Sequence, residues 1–62
     1  MITVREMIRL LESIGFREIR SKGSHFRYTD GKGHYVTIPA GHGMKTVLKP
    51  GVEKSIRRQA GL

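Results

Sequence analysis

The sequence predicts a small α+β domain of order α-β-β-β-α, a three-stranded antiparallel sheet with two helices on one face. Three observations carry that expectation. Apolar residues recur at helical spacing near both ends of the chain, at Val4, Met7, Ile8, Leu11 and Ile14 and again at Leu48, Val52, Ile56 and Ala60. Between them lie short runs rich in β-branched and aromatic residues, separated by glycines. The connections between those runs are short, which suits antiparallel pairing. Each helix has one apolar stripe to bury, and stacking both on one sheet face is the simplest way to bury them.

Thr3 and Glu6 form a Thr-x-x-Glu capping box that opens the first helix. Leu10 widens its apolar stripe, Arg5, Arg9, Glu12 and Ser13 fall largely on the other side, and Gly15 supplies the stop. Residues 16–21 read weakly as a strand, because Phe16 and Ile19 do not share a parity; a bulge or a late start reconciles them. Gly23 breaks the run. From Ser24 to Thr29 the alternation is clean, with Ser24, Phe26 and Tyr28 on one face and His25, Arg27 and Thr29 on the other. Phe26 and Tyr28 are the natural inward residues, so His25 and Arg27 should point outward. Asp30-Gly31-Lys32-Gly33 has the composition of a hairpin turn, His34 to Ile38 reads as the third strand, and Pro39 ends it. A glycine-flanked loop follows through His42 to Lys45, Pro50 suits the first turn of the second helix, and Gly61 closes it. With no repeat, linker or low-complexity tract, residues 1–62 read as one domain.

Size and charge narrow the function. A chain of 62 residues buries only about 60% of the surface its unfolded form exposes. It has room for one core and no deep pocket, so any substrate must lie across the surface. Cysteine is absent, which excludes disulfides and thiolate–zinc sites. No apolar run approaches the roughly 20 residues of a membrane span, and the first residues lack a signal-peptide pattern, so a cytoplasmic location is expected. Lysine and arginine total 12 against five acids, a net charge of +7. That balance points to nucleic acid or an acidic protein as partner.

Lys22-Gly23-Ser24-His25 sets one imidazole after a small-residue corner, with cations on both sides. Histidine's ordinary pKa near 6.5 suits acid–base chemistry on a polyanion; were that polyanion RNA, the imidazole could take the proton of a 2′-hydroxyl while the neighbouring phosphate is attacked. Cations beside that phosphate would stabilise the transition state; Lys22 and Arg27 are the candidates, with Arg20 behind them. This chemistry requires no metal or cofactor and would leave a 2′,3′-cyclic phosphate and a 5′-hydroxyl. Gly23 serves any tight turn, and Ser24 could bond the turn backbone or a phosphate. His34, sharing a parity with Val36 and Ile38, suits a structural role better than catalysis. His42 could contact phosphate, contact a protein partner or do neither, and Lys45 is a further candidate RNA contact. Tyr28 could assist only if it faced outward; Tyr35, opposite in parity to Val36, could stack on a base. Lys54, Arg57 and Arg58 make the second helix basic, as a solvated face or a contact surface. The three histidines lack the short spacing and acidic companions of a metal site.

The same residues carry a family resemblance. An amphipathic first helix ending in Gly15-Phe16, then Lys22-Gly23-Ser24-His25 with Tyr28, then Val36-Thr37-Ile38-Pro39 with His42 shortly after, and finally Leu48-Lys49-Pro50-Gly51 through Ser55-Ile56 to Arg58-Gln59-Ala60-Gly61-Leu62 together resemble a HicA-type toxin. The resemblance spans nearly the whole chain. It departs at Pro39-Ala40-Gly41-His42, where family members often have Pro-x-His. It implies a double-stranded-RNA-binding-domain-like fold, an mRNA-cleaving endoribonuclease with His25 catalytic and Gly23 and Ser24 shaping its corner, toxicity, and neutralisation by a HicB-type antitoxin. An acidic antitoxin and a monomeric free toxin are expected. The alternatives are a non-catalytic RNA-binding module of the same shape and an adaptor that binds only an acidic protein.

Overall fold

The computed structural model describes residues 1–41 and 43–62. Its elements are α1 (Val4–Ser13), β1 (Arg17–Lys22), β2 (His25–Thr29), β3 (Tyr35–Pro39) and α2 (Pro50–Gln59). The strands form one antiparallel sheet in the order β1-β2-β3. This is the architecture expected from the sequence. A single core joins Val4, Met7, Ile8 and Leu11 of α1, Tyr28, Val36 and Ile38 of the sheet, and Ile56 of α2, with Phe16, Leu48 and Ala60 closing its margins. Both helices therefore cover one sheet face and leave the other open.

The start of α1 is fully bonded. The Thr3 hydroxyl accepts from the Glu6 N–H at 3.1 Å, and Glu6 Oε1 accepts from the Thr3 N–H at 2.9 Å, so the predicted capping box forms. The bond from the Thr3 N–H, and after it the Thr3 hydroxyl beside the carboxylate, hold the Glu6 carboxyl below the usual carboxylate range. The N–H groups of Val4 and Arg5, which no helical carbonyl can reach, donate to the backbone oxygens of Thr46 (2.9 Å) and Met44 (3.0 Å). The connection between β3 and α2 is thus tied to α1 by main-chain bonds.

The parity conflict between Phe16 and Ile19 resolves as a bulge. Glu18 pairs with Tyr28 and Arg20 with Arg27, so Ile19 has no partner in the register and is 46% exposed, while Phe16 is buried just before the strand. All six residues of β1 are exposed, and four of them are charged, which suits an edge strand that must not recruit another chain. The opposite edge is covered from α2, where Gln59 Oε1 accepts from the Thr37 N–H at 3.2 Å.

His34 departs from its expected place in the third strand: β3 begins at Tyr35, and His34 belongs to the turn. Its ring Nδ1–H donates to Asp30 Oδ2 at 2.6 Å and its N–H to Asp30 Oδ1 at 3.2 Å, while Lys32 N–H donates to the same Oδ1 at 2.7 Å. The His34 carbonyl in turn accepts from the Thr29 hydroxyl at 2.8 Å. The imidazole has a structural role here, as its parity suggested, although the cause is a clasp to Asp30 and not burial beside Val36.

Partial desolvation pushes the Asp30 carboxyl up, but the bonds from Lys32 and His34 outweigh it and hold the group below its ordinary value. A carboxylate with a depressed native pKa adds stability that is complete above its unfolded pKa and lost as the pH falls through the native one. Stability should therefore fall below about pH 4. Asp30→Asn, which cannot ionise, should flatten that acid limb when urea midpoints are followed against pH; an unchanged limb would show that the clasp contributes nothing to it.

Candidate functional site

The open sheet face is laid out by the register. Lys22, His25 and Pro39 form one cross-strand row, Arg20, Arg27 and Thr37 the next, and Arg17, Thr29 and Tyr35 the third. Residues paired this way share a face. Tyr28, two positions from Phe26, is only 3% exposed and points into the core, which turns His25 and Arg27 outward as their parity requires.

Gly23 makes the corner possible. It sits at φ +59°, with Ser24 completing a two-residue loop between the paired Lys22 and His25. Glycine at the first loop position, with no positive φ at the second, is the pattern of a type II′ hairpin turn, whose twist matches the strands it joins. Ser24 also receives the Ala40 N–H on its carbonyl at 2.6 Å, which binds this turn to the end of β3.

His25, Lys22, Arg20, Arg27 and Thr37, with part of Phe26, line an open depression of about 230 Å³. Three of the five expected RNA contacts, Lys22, Arg20 and Arg27, are thereby brought together around the imidazole. Thr37 joins them unanticipated, though its parity, opposite to Val36 and Ile38, places it on this face. Arg17 reaches the same face only because the bulge at Ile19 resets the strand's parity. Among the described residues no carboxylate shares the surface: Glu18 falls on the opposite parity beside Tyr28, and Asp30 is committed to the turn. The side chain of Arg27 lies over the Tyr35 ring, 5.1 Å from guanidinium carbon to ring centroid. Such a contact stabilises by about 0.5–1 kcal/mol at an exposed site.

Lys45 does not line the depression; it lies exposed in the loop bonded to α1. His42 lies outside the described residues. Tyr28 is removed as a proton donor, since it faces the core, where desolvation and then the charges of Glu18 and Glu12 raise its phenol. A second hollow beside α1, about 370 Å³, is lined by Arg5, Ile8, Arg9, Glu12, Tyr28 and Met44. It is larger, but it contains a carboxylate and no imidazole. On the basic second helix, Arg57 is engaged by Glu53 at 3.1 Å. Among the described residues no three histidine, aspartate or glutamate side chains are grouped to hold a metal ion. None of the described helices is long and apolar enough to cross a membrane.

Fold and surface together define a class: a small α-β-β-β-α domain whose uncovered sheet presents an imidazole among cations, a surface suited to a polyanion. The chain belongs to the HicA toxin family, since the family model described as the HicA toxin of bacterial toxin-antitoxin matches residues 4–62. Membership makes it the toxin of a bacterial toxin–antitoxin pair, of nuclease type. No curated protein sequence matches the chain closely enough to count as a relative.

A methyl group at Gly23 would meet nothing within 4 Å, so substitution there tests backbone strain alone. Gly23→Ala should destabilise by about 1–2 kcal/mol, and Gly23→Asn by less, because asparagine tolerates the left-handed region. Thermal melts of the two variants check this; equal melting of Gly23→Ala and the native chain would contradict the turn assignment.

Proposed function

We propose that this protein is an endoribonuclease that cleaves mRNA without a metal, using His25 as general acid–base and the RNA 2′-hydroxyl as nucleophile. The observation that carries the reading is the outward imidazole in a row with Lys22 and next to the Arg20–Arg27 row, on a face free of carboxylate among the described residues. The neutral imidazole takes the 2′-hydroxyl proton. The 2′-oxygen attacks phosphorus, and the bond from phosphorus to the 5′-oxygen breaks. The imidazolium returns its proton to that departing oxygen, which leaves a 2′,3′-cyclic phosphate and a 5′-hydroxyl. One group can serve both transfers in turn, which matters because Tyr28 faces away.

Lys22, Arg27 and Arg20 offset the charge that builds on the phosphate oxygens. Gly23 and Ser24 act by shaping the turn. Lys45, outside the depression, is proposed as a peripheral phosphate contact, and His42 as a further RNA contact. No cofactor is required. The natural inhibitor would be an acidic HicB-type antitoxin, whose charge would speed encounter with the basic face. The free toxin is proposed to act in the cytoplasm as a monomer.

The test is inducible expression of the native chain beside His25→Ala, with transcript integrity and growth followed, and cleavage of a purified transcript in excess chelator. The substitution should lower cleavage at least 10²–10⁴-fold, and chelator should leave the native rate unchanged. Cleavage that vanishes in chelator and returns with magnesium would refute the mechanism. RNA binding and growth arrest that both survive His25→Ala would instead identify a non-catalytic RNA-binding module.

A further inference from the structure

Tyr35 has no place in the chemistry above, yet it is 53% exposed on the same open face as His25. The other aromatics do not compete with it: Phe16 and Tyr28 are buried and Phe26 is half-buried against the core. A lone exposed tyrosine needs no explanation in itself. This one differs in two respects. Arg27 lies across its ring at 5.1 Å, a diagonal cross-strand contact that orients the aromatic plane. The same face carries Arg17, Arg20, Lys22 and Arg27, with no carboxylate among its described residues. An oriented aromatic plane set in a cationic surface is the combination that holds single-stranded nucleic acid, where cations follow the phosphates and rings take the bases.

We infer that the Arg27–Tyr35 pair is a base-stacking platform, and that the substrate is a single strand of RNA laid across the open sheet from His25 towards Tyr35. The inference rests on the nuclease reading and adds the substrate's form and direction to it. Tyr35 pairs in register with the column of Thr29, four residues along β2 from His25. At about 3.4 Å per residue the Tyr35 row lies about 14 Å along the strands from the His25 row. The ring therefore meets a base displaced from the cleaved linkage, not one adjoining it. Arg27, between the two, faces the intervening phosphates on one side and the ring on the other. A duplex would present its bases paired and stacked, with none free to lie on the ring, so the platform selects for single strands.

The probe is a short, fluorescently labelled 2′-O-methyl RNA, which lacks the nucleophilic hydroxyl and stays intact, together with versions that carry one abasic position at each site in turn. Native protein should bind the intact strand more tightly than the matching duplex, and one abasic position should weaken binding about tenfold or more. Tyr35→Ala should weaken the intact strand by a similar factor and abolish the penalty at that position, because ring and base are then already uncoupled. Tyr35→Phe, which keeps the ring, should preserve the penalty. An abasic profile identical in native and Tyr35→Ala proteins would overturn the platform, as would preference for duplex. A Tyr35→Ala protein that binds RNA as the native does but loses affinity for an acidic antitoxin would assign the ring to the protein partner and overturn it equally. His25→Ala assayed alongside on an unmodified, cleavable transcript separates the two readings: retained cleavage defeats the nuclease site while the abasic profile still decides the platform.

Discussion

The parity of β2 is the constraint on which the rest depends. This strand is bonded on both sides, to β1 and to β3, and it carries Tyr28 into the core and His25 and Arg27 out of it. A shift by one residue would reverse every side chain. It would place an imidazole and a guanidinium against Met7 and Leu11 and expose Tyr28, a strongly unfavourable exchange because buried charge without a partner is costly. Two turns pin the strand between them. Gly23 sets Lys22 opposite His25 at one end, and the Asp30–His34 clasp sets Thr29 opposite Tyr35 at the other. The candidate site is therefore a by-product of core packing: the residues that bury β2 on one side determine what is displayed on the other.

The same logic separates the start of α1 from the functional surface. At α1 the free N–H groups that might hold an anion are taken by Thr3, Met44 and Thr46. Those bonds serve the fold, because they fix the connection that returns the chain from β3 to α2. The small core permits little else. With Val4, Met7, Leu11, Val36, Ile38 and Ile56 filling it, no room remains for an enclosed pocket. Binding must use the uncovered sheet or the helix flanks, and the sheet has the more uniform charge.

How much of this could be read from the sequence depended on whether a side chain or the backbone carried the signal. The capping box, the inward pair Phe26 and Tyr28, and the stripe of Leu48, Val52, Ile56 and Ala60 are side-chain patterns at fixed spacing, and each appears where expected. The misfit between Phe16 and Ile19 was itself informative, since a bulge is what breaks parity. Alternation places His34 in a strand; the stronger pull is Asp30 four residues earlier, whose carboxylate gathers the turn's N–H groups. The bonds from Val4 and Arg5 to the later loop join main chain to main chain and leave no trace in residue identity. Charge makes Lys45 a candidate RNA contact; its loop is bonded to α1, and it does not line the depression. The family pattern, by contrast, was legible from its ordered fragments alone, and the match over residues 4–62 establishes it.

The site also divides between a rigid and a compliant half. His25 and Arg27 stand on the central strand, over the core. Arg20 and Lys22 stand on β1, none of whose residues is buried. Their positions depend on the ladder to β2 and on the two-residue turn at Gly23, with no hydrophobic anchor of their own. Segments with few buried contacts and exposed backbone bonds open at lower free energy than the core. An acid–base group must be held in a defined position relative to a reacting bond, whereas cations that offset diffuse phosphate charge tolerate more movement and must fit many sequences. The fold distributes the residues in that way: the imidazole stands on the central strand, bonded on both sides, and most of its cationic surround stands on an edge strand with no buried residue.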